Sequence, residues 1–144
     1  TQIAYEQYLK EINSVDKELS QLFQQIAPDK RVFISHHANL GQFAKHFGLT
    51  VAGTIIASGS GESADPSARH FSELLALIRK QKIHVVVSDQ GQSDAFARRL
   101  TEDAGLPPPL SLSFEYLEPI GQPGDNWTSM MLTNGKRLHQ ALLK

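Results

Sequence analysis

The chain of 144 residues contains no cysteine. That absence excludes disulfides, thiolate metal sites and cysteine nucleophiles together; it leaves the compartment open. Charge of one sign is also missing, since 14 basic residues face 15 acidic ones and the formal net charge is −1. Bulk attraction to nucleic acid or to an anionic membrane surface is therefore not expected. Aromatic residues make up 8%, with a single tryptophan, and no basic stripe carries interleaved aromatics. No apolar run approaches the roughly 20 residues of a membrane span. No Gly-x-Gly-x-x-Gly fingerprint, phosphate-binding loop or Gly-x-Ser-x-Gly elbow is found. Gly59-Ser60-Gly61 is followed by Glu62 and Asp65, which would repel phosphate. No initiator methionine or signal peptide is visible at Thr1-Gln2-Ile3, so the chain is expected to be a processed protein or an excised piece.

What is present is a regular alternation of helix and strand patterns. Tyr5, Leu9, Ile12, Leu19, Leu22, Phe23 and Ile26 recur at helical spacing and predict a long amphipathic helix over about 3–26. Its start shows no strong cap, as if the chain entered partway along a longer helix. Val32–Ser35 is a short apolar strand. A second helix is expected over 38–47, closed by Gly48 as the residue after the helix end. Thr50–Ala57 is β-branched and apolar, a second strand. Asp65-Pro66 is expected to start a third helix, with Phe71, Leu74, Leu75 and Ile78 on one face. Ile83–Val87 has the near-continuous apolar character of a strand covered on both faces. A helix over 93–104 ends at Gly105, three prolines lead to strand Leu110–Phe114, a polar loop spans 118–125, and a last helix spans 126–143. The fold class that follows is α/β, a three-layer sandwich. Its central, four-stranded, mainly parallel sheet lies between helices, and a long helix opens the chain.

Ligands of open α/β sheets lie beyond the carboxyl ends of the strands. At that edge this chain places His36 and His37 after the first strand, Asp89 after the third and Glu118 after the fourth. Imidazole is the commonest metal-ligating side chain. With strands about 4.8 Å apart, the first and fourth would be roughly 10 Å apart if the third lay between them. Simpler roles compete with ligation. A lone histidine after a strand is usually a turn residue, a glutamate in a polar loop usually faces water, and Asp89-Gln90 would serve to cap the next helix. His46, His70 and His139 are expected to be solvated on helices, and His84 to be a satisfied core histidine. No serine stands out as a nucleophile, so neither catalytic nor cofactor-binding residues are assigned and no enzyme activity is expected.

Three segments carry a resemblance. His37-Ala38-Asn39-Leu40-Gly41-Gln42-Phe43, continuing to Phe47-Gly48-Leu49, resembles the His-x-x-aromatic-Gly-Tyr-Phe…Tyr-Gly-Leu stretch of zinc- and manganese-binding solute-binding proteins of ABC importers, the cluster A-I family. Leu117-Glu118-Pro119-Ile120-Gly121 is similar to the family's Leu-Asp-Pro-Leu-Gly. The segment Trp127 to Met131, with Asn134, is similar to its Tyr-x-x-Met-Met-x-x-Asn helix. The resemblance covers essentially the whole chain but only half of such a protein, which has two lobes joined by a long helix. It implies that residues 1–28 are the end of that helix and 29–144 a single C-terminal lobe.

The same resemblance implies that His37 and Glu118 are metal ligands, with His36 and Asp89 as secondary candidates. Aligning through Gly41 and Phe43 favours His37, whereas aligning from Ser35 favours His36. Glu118 departs from the usual aspartate, Gln42 from an aromatic, and Asp89 from a glutamate. The implied cargo is Zn²⁺, alternatively Mn²⁺. The implied setting is periplasmic or extracytoplasmic, with a lipoprotein anchor as one form. The implied partners are an N-terminal lobe of the same protein and an importer membrane subunit, and the lobe face left without a partner is a candidate dimer surface. The alternative is a metal-free α/β interaction domain that keeps the fold without the site.

Overall fold

The structure, a computed structural model, describes residues 1–56, 67–114 and 117–144. Helix α1 (Gln2–Gln24) is followed by strand β1 (Val32–Ser35), helix α2 (Gly41–His46) and strand β2 (Thr50–Thr54). Then come α3 (Ala68–Gln81), β3 (Val87–Asp89), α4 (Ala95–Ala104), β4 (Leu110–Leu112) and α5 (Trp127–Leu143).

Among the described residues all strand pairing is parallel. β1 pairs with β2 and β3 with β4, and a bridge from Ile34 to Val86 joins the two halves. The spatial order is therefore β2-β1-β3-β4, with the third strand between the first and the fourth. The connection after β1 leads outward to β2 on one side and that after β3 outward to β4 on the other, so the crevice between their carboxyl ends is the point where strand order reverses.

Period-two alternation divides the core between the two faces. Phe33, Val85, Val87 and Leu112 pack with Leu19 and Phe23 of α1, Ile26 just beyond its end, and Leu138 and Leu142 of α5. Ile34 and Val86 face the other way, onto Leu74 and Ile78 of α3 and Ala97 and Leu100 of α4. This is the expected three-layer sandwich.

Several elements differ from the sequence reading. α1 has a cap after all: the Thr1 hydroxyl accepts from the Ala4 N–H at 3.2 Å. Its amphipathic stripe is also only half used. Leu19 and Phe23 are buried, while Tyr5 and Leu9 are exposed together with Ile3 and Tyr8. The third strand's ladder lies later than its apolar run, at Val87–Asp89. Ile83 is buried without joining it, and the Val85 carbonyl still accepts from the Ile34 N–H at 3.1 Å. α3 takes its cap from Ser67, whose hydroxyl accepts from the His70 N–H. Asp65-Pro66 and the end of the second predicted strand at Ala57 lie outside the described residues. β4 stops at Leu112 because Ser113 turns its backbone to a side chain. The Ser113 N–H donates to Asn134 Oδ1 at 3.1 Å, and Asn134 Nδ2 donates to the Ser113 carbonyl at 2.6 Å. Gly48 and Gly105 end α2 and α4 with φ of 72° and 70°, as left-handed residues after a helix should.

Candidate metal centre

β1 ends in a turn that its own last residue ties down. The buried Ser35 hydroxyl donates to the His37 carbonyl at 2.8 Å. The His36 carbonyl accepts from the Ile56 N–H at 2.8 Å, which holds the turn against the end of β2. His37 is extended, with φ −143° and ψ −179°, and its side chain makes no capping bond to the 3₁₀ turn Ala38–Leu40 that follows. The two adjacent histidines meet edge to face, with ring centroids 5.8 Å apart. Their rings are perpendicular, 89° apart, and His36 is buried at 7% exposure while His37 is half-buried.

His37 reaches across the switch point to β3. Its Nδ1 lies 2.5 Å from Asp89 Oδ2. Asp89 therefore does not cap α4, whose N-cap is Asp94 with no side-chain capping bond. A carboxylate on one ring nitrogen fixes the tautomer and the ring plane.

Glu118 stands on the other side of β3. It is half-buried, its N–H donates to the Gly124 carbonyl at 3.0 Å, and its Oε1 accepts from Gln90 Nε2 at 2.9 Å. Gln90 follows Asp89 directly, and its own N–H donates to the Leu112 carbonyl at 2.9 Å, beside β4. Behind Glu118 lies a cavity of about 350 Å³ lined among others by Gln90, Ser113, Thr133, Asn134 and Arg137. Among the described residues no group of three or more His, Cys, Asp or Glu side chains is gathered closely enough to hold a metal. The strand ends thus carry separate donors, each held by a neighbour, rather than a closed coordination shell.

The remaining histidines are structural. His46 is exposed and pairs with Asp16. His84 is half-buried, and its Nε2–H is shared between the Ala141 and Leu142 carbonyls at 3.2 Å each, satisfying the end of α5. His70 is not simply solvated: its Nε2–H donates to the Thr54 carbonyl at 2.6 Å and ties α3 to β2. Nor is His139. It is buried against the Phe23 ring with Nε2 on Gln25 Oε1 at 3.1 Å, and burial pushes its pKa below the ordinary value. Charged neighbours in sequence suggested solvation for both, but helical geometry turns these positions inward. Gln90 was legible only as a possible cap; its place one residue beyond Asp89, next to β4, is what marks it.

Fold and site together define a parallel α/β lobe with histidine and carboxylate donors at its switch point. Residues 2–141 match the family described as zinc-uptake complex component A, periplasmic, and the chain belongs to that family. It is 29% identical over 134 residues to the zinc-binding lipoprotein AdcA of Streptococcus pneumoniae, covering 92% of this chain and 26% of that protein. It is 21% identical over 137 residues to the manganese ABC transporter substrate-binding lipoprotein scaA of Streptococcus gordonii, covering 95% of this chain and 43% of that protein. The fold superposes with a TM-score of 0.84, at 17% identity, on a cadmium-bound periplasmic metal binding protein from Candidatus Liberibacter asiaticus. That match covers 98% of this chain and 51% of the other, so the chain spans about half the length of the solved protein.

Proposed function

We propose that the chain is the metal-binding lobe of an extracytoplasmic solute-binding protein that hands Zn²⁺ to an ABC importer, with Mn²⁺ as the alternative cargo. Its work in this reading is binding and delivery, not catalysis. The observation that carries it is the contact between Asp89 and His37 at the switch point, which leaves Nε2 as the ligating position. Glu118 is the second protein ligand, and His36, buried at 7% exposure, and Asp89 are the weaker candidates. Imidazole leans toward zinc and carboxylate toward manganese, so the His37 and Glu118 pair admits both with a lean to zinc. Two protein ligands leave coordination positions open, and an N-terminal lobe of the same protein would supply the others. Residues 1–28 would then be the end of the connecting helix and 29–144 one lobe. The exposed Ile3, Tyr5, Tyr8 and Leu9 would lie on the part of α1 that meets that partner. Membership of the family and the lipoprotein and periplasmic relatives support an extracytoplasmic setting.

Calorimetric titration of the chain with zinc tests the reading. Weak zinc binding that disappears in His37→Ala is expected. Tight binding that survives that substitution would remove His37 from the site. The rival reading, a metal-free interaction domain, is favoured by the lack of a three-ligand group among the described residues. It predicts no rise in melting temperature with zinc, whereas a ligand at 100 times its Kd stabilises the native state by about 2.7 kcal/mol.

A further inference from the structure

β3 lies between β1 and β4, so consecutive residues at its end can serve both neighbours. Asp89 meets His37, which follows β1, and Gln90 meets Glu118, which follows β4. We propose that Gln90 is the positioning residue for Glu118. The dipeptide Asp89-Gln90 then aims both ligand arms of the site from one point. The inference rests on the metal-site reading given above and extends it to a residue that no donor chemistry would single out.

Three contacts support it. The Gln90 backbone is fixed by its N–H on the Leu112 carbonyl at 2.9 Å, so its side chain starts from a rigid base. Gln90 Nε2 holds Glu118 Oε1 at 2.9 Å, which leaves Oε2 for a cation. The glutamate stem lies against Gly124: a Cβ there would sit 3.3 Å from Glu118 Cγ, on a backbone with φ +100°. The glycine lets the loop close on the stem while the amide holds the head.

The need for such a holder follows from the side chain. Glutamate has one more rotatable bond than aspartate and loses more freedom when it ligates. Where the related motif carries aspartate, this chain carries the longer acid, and the Gln90 amide removes part of the added freedom before metal arrives. A neutral amide does so without competing for the cation or adding charge.

The test is a zinc titration of the chain with Gln90→Met, Glu118→Ala and the double variant, alongside His37→Ala. Gln90→Met should weaken zinc binding about tenfold, the scale of outer-sphere partners of ligands. The double variant should bind no more weakly than Glu118→Ala alone, because Gln90 acts only through Glu118. In the metal-free chain, the Gln90 side-chain amide resonances should shift in Glu118→Ala. Full additivity of the two losses, or unmoved amide resonances, would overturn the positioning role. Affinity that falls with His37→Ala and Glu118→Ala but not with Gln90→Met overturns it too and leaves the site standing. Affinity indifferent to His37→Ala overturns the site and the positioning role with it.

Discussion

Asn134 of α5 takes the place of a neighbouring strand for Ser113. Its amide accepts from the Ser113 N–H and donates to the Ser113 carbonyl, and Nδ2 also donates to the Met130 carbonyl at 2.8 Å. Both residues are buried, so the pair ends β4 without leaving backbone groups unsatisfied. The segment that carries Glu118 departs from this point.

Asn134→Ala should therefore destabilise the chain by about 2–3 kcal/mol, the cost of leaving buried polar groups unpaired. Urea denaturation measures it. A loss under 0.5 kcal/mol would mean that water replaces the amide.

Asp89→Ala should lower zinc affinity about tenfold, by releasing the His37 ring from its fixed plane. The melting temperature without metal should change little by comparison. Unchanged affinity would show that the ring is oriented by something other than this carboxylate.

Gly135 lies against the other helix of its layer. A Cβ there would stand 2.5 Å from Leu19 Cδ2, and Leu19 is fully buried. Gly135→Ala gains up to about 1 kcal/mol of helix propensity but forces repacking that costs about 1–3 kcal/mol. A net loss is expected. In a Leu19→Ala background the same substitution should become stabilising, which paired denaturation curves would reveal.

His139 titrates with its pKa pushed below 6.5 by burial. The unfolded chain then takes up a proton at higher pH than the native one. Stability from keeping this ring neutral is complete above pH 6.5 and is lost as pH falls through that value toward the depressed native pKa. Denaturation at pH 7.5 and pH 5.5 should show a smaller acid loss in His139→Gln than in the wild type. Equal losses would assign the acid sensitivity to other groups.

Much of this architecture was legible because its signals are local and periodic. β1 begins and ends where the apolar run Val32–Ser35 does, and Gly48 and Gly105 end their helices as left-handed residues. The long helix was legible in extent but not in burial, since periodicity shows which face is apolar and not what covers it. Tyr5 and Leu9 belong to the same stripe as Leu19 and Phe23, yet only the latter pair meets α5 and the sheet. The strand ends pointed to His37, Asp89 and Glu118 because parallel order places them on one edge. The contact of His37 with Asp89 was not legible: which carboxylate meets the histidine depends on the spatial order of the strands, which no local pattern encodes. Nor was the Gln90 contact, since a glutamine carries no donor chemistry that marks it in advance.

α1 behaves mechanically as a lever. Its 23 residues extend about 34 Å at 1.5 Å per residue, and the residues through Lys10 are exposed. The pivot is the stretch around Leu19 and Phe23, clasped by α5. From there to Gln2 is roughly 25 Å, so a tilt of about 10° at the pivot displaces Gln2 by about 4 Å. A small adjustment in the packing beneath the sheet becomes, at the far end of this rod, a movement as large as the width of a water molecule and more.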